Sequence, residues 1–199
     1  MRTAYIALGS NLASPAGSPE ITLAAAASSL RSLGPLRSRS SLYSTKPVGF
    51  ADQPRFFNAV VAIDTELSPR NLLRSLLDIE KGYGRDRSAG IPNGPRTLDL
   101  DILLLGDLQV SEPGLQIPHP RLADRAFVLI PLNEIAPEII VPGHQTTVAE
   151  LLQSLLNKSK GEADAVVQVQ SDAWRAGGNS VGPDDSQRAA AARIPDRNR

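Results

Sequence analysis

Apolar residues in the first hundred positions are grouped in short runs separated by loops and amphipathic segments. The run at 3–8 predicts a first strand, and the run at 56–63 is almost continuously apolar, which is typical of a strand buried on both faces. Two segments, 18–33 and 68–82, open with Ser-Pro as N-cap and first-turn residues, so we predict helices there. The order of these elements predicts an α+β sandwich, a mostly antiparallel sheet with helices packed on it.

The strand predicted at 98–105 carries two carboxylates. Asp99 and Asp101 alternate with apolar residues, so both carboxylates face the same side of the strand, about 6.6 Å apart. Two like charges side by side are unfavourable without a positive partner. The pattern therefore indicates a cation or basic groups beside the strand. For an isolated Asp-x-Asp pattern, a solvated edge strand is the alternative.

The chain after this strand contains shorter elements. Because Gly106-Asp107 is a turn signal, we expect 108–110 to pair back on the preceding strand as a hairpin arm. Thr147 and Glu150 form a capping box before a leucine-rich helix, and 165–169 is predicted to be a last edge strand.

Bulky apolar residues are nearly absent near the C-terminal end of the sequence. Gly, Asp, Ser, Ala and Arg dominate there, a composition that buries too little apolar surface to fold. We predict one domain over 1–174 and a disordered tail over 175–199.

Composition and charge restrict the class of protein. The 199 residues are 41% hydrophobic and include 21 basic and 21 acidic residues, so no overall charge favours nucleic acid or a membrane surface. The absence of cysteine excludes disulfides, zinc–thiolate sites and thiol catalysis, and no apolar stretch approaches the ~20 residues of a membrane span. We expect a soluble, cytoplasmic monomer that binds neither nucleic acid nor membranes.

Arginines flank the aspartate strand in the sequence. Guanidinium forks match phosphate oxygens, and carboxylates with Mg²⁺ neutralise further phosphate charge, so the combination indicates a polyphosphate ligand. Walker and Gly-x-Gly-x-x-Gly motifs, a paired-histidine zinc site and a Gly-x-Ser-x-Gly nucleophile are absent. A surface ion pair is the alternative for each arginine alone. The five arginines are Arg85, Arg87 and Arg96 before the aspartates and Arg121 and Arg125 after them.

Two further polar residues lie in apolar or stiff surroundings. Asn58 interrupts an apolar strand and, if buried, needs a hydrogen-bond partner, either the edge of a heterocycle or a neighbouring backbone group. His119 lies between two prolines, and it is either a packed or surface histidine or a phosphate donor or acid.

Four segments together resemble a known family. The order and spacing of 6-hydroxymethyl-7,8-dihydropterin pyrophosphokinases, enzymes of folate synthesis, are found in Gly9–Leu12, Phe57–Ala59, Gly94–Asp101 (Gly-Pro-Arg-Thr-Leu-Asp-Leu-Asp) and Pro118–Arg121. The resemblance covers roughly residues 3–160. It implies a ferredoxin-like sandwich and makes 1–174 a pyrophosphokinase domain.

The resemblance implies transfer of pyrophosphate from ATP to the hydroxymethyl group of the pterin, with release of AMP. Asp99 and Asp101 would hold two Mg²⁺ ions on ATP, and the catalytic residues would be these aspartates with Arg85 and Arg96. The loop from Gly84 to Pro95 is expected to close over the phosphates. The nucleotide side would be formed by Arg85, Arg96, Ile102, His119, Arg121 and Arg125.

The second substrate implied by the resemblance is 6-hydroxymethyl-7,8-dihydropterin. Asn58 would bind the polar edge of its ring. The pterin pocket would be formed by Thr45, Pro47, Val48, Phe56, Asn58 and Phe127.

This chain departs from the family pattern in several places, and two other protein classes share parts of its pattern. A nucleotidyltransferase also combines Gly-Ser with Asp-x-Asp, but on one short helix–strand unit, whereas Ser10 and Asp99 lie far apart here. A non-catalytic ferredoxin-like module would leave the charges as a solvated network. The departures are Asn93 for a loop Trp, Ser88 for a basic residue, Gly114 for an arginine and Pro120 for a tyrosine.

Overall fold

The fold is organised around one sheet, seen in a computed structural model that describes residues 1–47, 52–87, 94–158 and 165–176. The described strands are β1 (Arg2–Ser10), β2 (Leu36–Arg39), β3 (Leu42–Thr45), β4 (Phe56–Thr65), β5 (Asp99–Leu105), β6 (Val110–Glu112), β7 (Leu115–Ile117), β8 (Ile140–Val141), β9 (Thr146–Thr147) and β10 (Val166–Val169). The described helices are α1 (Pro19–Ser29), α2 (Pro69–Gly82), α3 (Ala126–Ile135), α4 (Val148–Lys158) and α5 (Asp172–Ala176), with a 3-10 turn at Leu30–Leu33.

The strands of the main sheet run in the order β10-β3-β4-β1-β5, and β2 also pairs with β4. Each of these pairings is antiparallel. The long strands β1 and β4 lie at the centre, as the continuous apolar run of β4 predicted for that strand, and the predicted α+β sandwich is confirmed. β10 is at one end of this order, which confirms the predicted last edge strand.

Helices cover both faces of the sheet. One core lies between the sheet and the helices α1 and α2, and the other lies between the sheet and the helices α3 and α4. None of the described helices is long and apolar enough to cross a lipid bilayer. The first core includes Ile6, Leu8, Leu23, Leu76 and Leu100, and the second includes Val60, Leu104, Leu129, Leu132 and Val148.

Local capping signals account for the helix starts. The Oγ atom of Ser68 accepts a hydrogen bond from the N–H of Asn71, which caps α2. Before α4, the N–H of Thr147 donates to Glu150 Oε2 at 2.7 Å, and the N–H of Glu150 donates to Thr147 Oγ1 at 3.2 Å, so the capping box is confirmed. Ser18 occupies the N-cap of α1, but its side chain makes no capping hydrogen bond.

Two sequence predictions need adjustment, and one segment adds strands that were not predicted. The segment 108–110 does not pair back on β5; instead β6 pairs with β7 in a separate two-stranded sheet. The segment after α1 forms the two strands β2 and β3, which both pair with β4. The predicted boundary at 174 falls inside α5, and residues 177–199 lie outside the described residues, so the tail stays a prediction.

Gly34 is expected to be the most sensitive glycine of the helix-to-strand connection. Its φ of +151° is unusual for other residues, and an added Cβ would overlap the carbonyl oxygen of Asp64. We expect Gly34→Ala to lower the free energy of unfolding by at least about 1–3 kcal/mol, as measured by urea denaturation. Gly82→Ala is the control, because a Cβ there has no neighbour within 4 Å and alanine favours the helix. Equal effects of the two substitutions would contradict this account of Gly34.

Candidate active site

Antiparallel pairing brings polar residues from three strands to one face of the sheet. Asn58 of β4 lies opposite Gly9 of β1, and Gly9 lies opposite Asp99 of β5. Opposite residues share a face, as do residues two apart along a strand, so Asp101 lies on this face too. The intervening Leu100 is buried in the core on the other face. The predicted common face of the two carboxylates is therefore confirmed.

Gly9 gives this face a floor made of backbone. A Cβ atom at this position would lie 3.3 Å from Asn58 Oδ1 and 3.8 Å from Asp99 Cβ. Any side chain there would therefore fill the space between the two polar side chains. The glycine keeps that space open to a ligand that contacts both.

Three arginines converge on Asp99. Arg96 Nε lies 2.9 Å from Asp99 Oδ2, while Arg85 Nη2 and Arg87 Nη2 lie 3.4 and 4.0 Å from Asp99 Oδ1. Burial lowers the pKa of Arg85, although the charge of Asp99 opposes this shift. Arg85 Nη1 is buried and has no hydrogen-bond partner among the described residues. A buried donor of this kind needs an acceptor, and a phosphate oxygen would supply one.

Asp101 lies beside His119. Its Oδ2 atom is 4.0 Å from His119 Nε2, and 39% of its side chain remains exposed. Desolvation by the surrounding protein raises the pKa of Asp101, and the negative charge of Asp99 adds to the rise, while nearby arginines oppose it. The pair of carboxylates thus carries the electrostatic conflict expected from its spacing, and a cation would relieve that conflict.

The segment after β7 places a neutral histidine and two arginines near the aspartates. The N–H of His119 donates to the carbonyl oxygen of Leu103 at 2.9 Å, which ties this segment to β5. Burial lowers the pKa of His119 to about 4, with help from the charges of Arg125 and Arg121. His119 Nδ1 accepts a hydrogen bond from the N–H of Arg121 at 3.1 Å. A neutral ring with this acceptor carries its hydrogen on Nε2, toward Asp101.

Residues predicted to bind a pterin gather where β3 meets β4. Thr45 lies opposite Phe56, and Asn58 Nδ2 donates to Thr45 Oγ1 at 2.8 Å. Asn58 and Thr45 are both buried, and Pro47 is half-buried just beyond β3. Val48 lies outside the described residues. The partner of Asn58 in this structure is thus a neighbouring side chain rather than backbone.

Two phenylalanines connect the predicted pterin side with the predicted nucleotide side. The guanidinium carbon of Arg96 is 4.7 Å from the ring centre of Phe56, and that of Arg125 is 5.4 Å from the ring centre of Phe127. Both distances lie within the range of cation–π contacts. Residues predicted for the two substrates are therefore in direct contact.

The Ile102 side chain does not reach this face. It is 5% exposed and belongs to the core with α1 and α2. Because Asp101 points to the site, the alternation of the strand turns Ile102 to the opposite side. Any contact of Ile102 with the nucleotide would therefore have to come from its backbone, and its assignment to the nucleotide side stays a prediction. Residues 88–93, which include Ser88 and Asn93 of the predicted closing loop, lie outside the described residues.

Asn11 has a supporting role that its sequence motif did not specify. The residue is 3% exposed, and its Oδ1 accepts the N–H of Arg96 at 2.8 Å. Its own N–H donates to the carbonyl oxygen of Arg96 at 3.0 Å. Its Nδ2 donates to Gln53 Oε1 at 3.0 Å and to the carbonyl oxygen of Pro54 at 3.1 Å. Asn11 therefore joins the arginine segment to the segment that precedes Phe56.

Glu80 was not singled out in the sequence, yet its carboxylate is buried beneath the site. It accepts hydrogen bonds from the N–H of Leu100 and from the guanidinium of Arg87. Burial raises the pKa of Glu80, while these two donors oppose the rise. An acidic residue in the last turn of a helix is disfavoured by the helix dipole, and this is the sequence signal that could have found it.

The donor set of the site suits Mg²⁺. Two carboxylates share one face, and no cluster of three or more His, Cys, Asp or Glu that could hold a metal occurs in the described part of the chain. Protein sites usually hold Mg²⁺ with one or two carboxylates, while waters and substrate phosphates complete the coordination. A structural zinc site would require more protein ligands than these.

Comparison with known proteins decides between the classes considered from the sequence. A family model described as 7,8-dihydro-6-hydroxymethylpterin-pyrophosphokinase (HPPK) matches residues 5–137. The chain belongs to this family. It is 44% identical over 157 residues to the 2-amino-4-hydroxy-6-hydroxymethyldihydropteridine pyrophosphokinase of Methylorubrum extorquens, covering 78% of this chain and 94% of that protein. The enzyme of the same name from Haemophilus influenzae is 46% identical over 153 residues, covering 77% of this chain and 92% of that protein.

The family assignment makes the chain a diphosphotransferase (pyrophosphokinase) by class, and solved structures agree with its fold. The Plasmodium falciparum HPPK-DHPS triple mutant crystallised with pteroate has a TM-score of 0.68 at 16% identity, covering 85% of this chain and 47% of that chain. The wild-type HPPK-DHPS with pterin and p-hydroxybenzoate has a TM-score of 0.68 and the same coverage. At this identity the likeness concerns the fold alone, and it confirms the predicted ferredoxin-like sandwich.

The hydrogen bonds of Asn11 give this family member a testable energetic requirement. We expect Asn11→Ala to lower the free energy of unfolding by about 1–3 kcal/mol, because buried donors and acceptors lose their partner. The control is Asn157→Ala, which removes an exposed amide that pairs only with Gln153 in the described hydrogen bonds of α4. That control should change stability by less than about 0.5 kcal/mol. Similar losses in both variants, measured by urea denaturation, would refute a special contribution of Asn11.

Proposed function

We propose that this protein transfers pyrophosphate from ATP to 6-hydroxymethyl-7,8-dihydropterin in an Mg²⁺-dependent reaction that releases AMP, a step of folate synthesis. The observation that carries the proposal is the strand register, in which Asn58 and Asp99 flank Gly9. A flat polar ring bound at Asn58 and a polyphosphate bound at Asp99 would meet above the glycine. The family assignment and the names of the relatives support both substrates.

The nucleotide side is suited to a polyanion. Five guanidinium groups and three carboxylates give the described site a net charge of +2. Arg85 offers its buried, unpartnered Nη1 to a phosphate oxygen, and neutral His119 offers its Nε2 hydrogen. The charged residues are Arg85, Arg87, Arg96, Arg121 and Arg125, with Glu80, Asp99 and Asp101.

Asp99 and Asp101 would hold two Mg²⁺ ions on ATP. Bound there, Mg²⁺ would neutralise phosphate charge and polarise the phosphoryl group that is attacked. Arg85 and Arg96 would serve phosphate oxygens, whose geometry matches the guanidinium fork. Positioning and charge neutralisation of this kind are the main demands of phosphoryl-type transfer.

The pterin side supplies a polar edge and apolar walls. Asn58 keeps its Oδ1 and one amide hydrogen for the edge of the ring, because Thr45 takes the other hydrogen and fixes the amide. Phe56 and Phe127 provide aromatic walls, and Pro47 with Val48 would complete the pocket. A pterin bound in this way would direct its hydroxymethyl group toward the phosphates.

The reaction balances as a displacement at the β-phosphorus of ATP. The hydroxymethyl oxygen forms a bond to the β-phosphorus, while the bond from that phosphorus to the oxygen shared with the α-phosphorus breaks. AMP leaves with that oxygen, and the hydroxyl proton passes to water. The guanidinium groups of Arg85 and Arg96 stabilise the negative charge that develops on the transferred group.

Product analysis tests the proposal directly. Purified protein with ATP, Mg²⁺ and the pterin alcohol should form AMP and the pterin pyrophosphate in equal amounts. Free pyrophosphate with a nucleotidylated product would instead indicate a nucleotidyltransferase. No product would indicate a binding module, and either result would overturn the proposal. The predicted monomeric state is checked in the same preparation by light scattering, and cytoplasmic localisation stays a prediction.

The carboxylates of Asp99 and Asp101 should be required for turnover but not for folding. We expect Asp99→Asn and Asp101→Asn to lower kcat/KM on the order of 10²-fold or more, because each removes several kcal/mol of charge stabilisation. The matched control is Asp107→Asn, in the exposed turn after β5, which should retain activity. Thermal unfolding should remain cooperative in all three variants. Full activity of either site variant would remove the metal assignment.

A further inference from the structure

Glu80 is buried to a degree that is rare for a carboxylate. Its side chain is 1% exposed at the C-terminal end of α2. Its Oε1 accepts the N–H of Leu100 at 2.8 Å, and both carboxylate oxygens accept the guanidinium of Arg87 at 2.6 to 2.9 Å. A buried charge persists only where such partners replace water.

Leu100, the first partner of Glu80, lies between the two aspartates of the site. β5 is at one end of the main sheet among the described strands, and β1 occupies its inner edge. N–H groups along an antiparallel strand point alternately to the two edges. The N–H of Leu100 points away from β1 and meets Glu80. Glu80 therefore fixes the outer edge of the strand between Asp99 and Asp101.

Arg87, the second partner of Glu80, is one of the arginines that face Asp99. Glu80 holds the side chain of Arg87 through a two-pronged contact, and Arg87 Nη2 lies 4.0 Å from Asp99 Oδ1. The carbonyl oxygen of Glu80 also accepts the N–H of Arg85 at 3.0 Å. One residue thus holds the aspartate strand, the backbone of Arg85 and the side chain of Arg87.

We propose that Glu80 is the positioning residue of the nucleotide side, and that it sets Asp99 and Asp101 relative to Arg85 and Arg87. The inference rests on the proposed function for the identity of the ligand. Glu80 does not touch the ligand; it acts through Leu100 and Arg87. The pterin residues Thr45 and Asn58 lie on β3 and β4, away from these contacts. Loss of Glu80 should therefore weaken nucleotide binding selectively.

The test compares Glu80→Ala and Glu80→Gln with the wild type. Calorimetry measures the binding of a non-hydrolysable ATP analogue with Mg²⁺ and, separately, the binding of the pterin alcohol. In Glu80→Ala, the Kd of the nucleotide analogue should rise at least tenfold, whereas the Kd of the pterin should change less than twofold. Glu80→Gln should lie between, because its amide oxygen still accepts the N–H of Leu100 but its NH₂ opposes Arg87.

Two further variants distinguish the positioning role of Glu80 from the general effect of losing an ion pair. Arg87→Met should weaken nucleotide binding, and its effect should add less than fully to that of Glu80→Gln, because both remove the same contact. Glu112→Gln is the matched control, because it removes an exposed ion pair in which Glu112 Oε2 lies 2.5 Å from Arg70 Nη2. It should leave both affinities unchanged. A fully additive combination of Glu80→Gln and Arg87→Met would overturn the role assigned to the Arg87 contact.

Hydrogen exchange provides a readout that does not depend on the reaction. The amide of Leu100 should exchange faster in Glu80→Ala, while the amides that pair β5 with β1 remain protected. Equal weakening of nucleotide and pterin binding, unchanged nucleotide binding, or unchanged exchange at Leu100 would each overturn the inference. Nucleotide binding by the wild type without AMP formation would overturn the proposed function alone. Absence of nucleotide binding by the wild type would overturn both.

Discussion

Two negative charges at alternate positions of β5 are the constraint on which the site depends. Asp99 and Asp101 repel each other on one face of the strand, and the raised pKa of Asp101 reflects this repulsion together with desolvation. Three arginines approach Asp99, while Asp101 lies beside a neutral His119. The positive charges of these arginines therefore offset the repulsion that the spacing of the two aspartates creates. The geometry alone requires positively charged groups or a cation beside the two aspartates.

Strand register extends this constraint across the sheet. Since side chains alternate with a period of two, a slip of one residue between β1 and β4 would turn Asn58 away from the face that carries Asp99. The observed pairing instead aligns Asn58, Gly9 and Asp99 in one row. Gly9 leaves the middle of that row without a side chain, so the row has polar groups at its ends and backbone between them. The same pairing that builds the core thus determines which groups can reach one ligand.

Features with a local cause were predictable from the sequence, and features with a long-range cause were not. The common face of Asp99 and Asp101 follows from alternation alone, and the capping box at Thr147 follows from neighbouring residues. β6 pairs with β7 across the turn at Pro113-Gly114 rather than with β5 across Gly106-Asp107, and because both dipeptides are turn signals the local sequence left two pairings open. Ile102 was assigned to the nucleotide side by resemblance, although alternation with Asp101 turns its side chain into the core. Leu100, which Glu80 binds, and the partners of Asn11 are distant in sequence, so the roles of Glu80 and Asn11 required the folded chain.

Arg96 shows why the two halves of the site cannot act independently. Its backbone N–H and carbonyl oxygen are both held by Asn11, so the residue cannot move far as a unit. Its guanidinium lies between Asp99 and the ring of Phe56. A phosphate that draws the guanidinium away from Asp99 must also alter its contact with Phe56, because the backbone is fixed and only the side chain can respond. Under the proposed function that ring belongs to the pterin side, so occupation of one half would change the energy of a contact in the other and would link the binding of the two substrates.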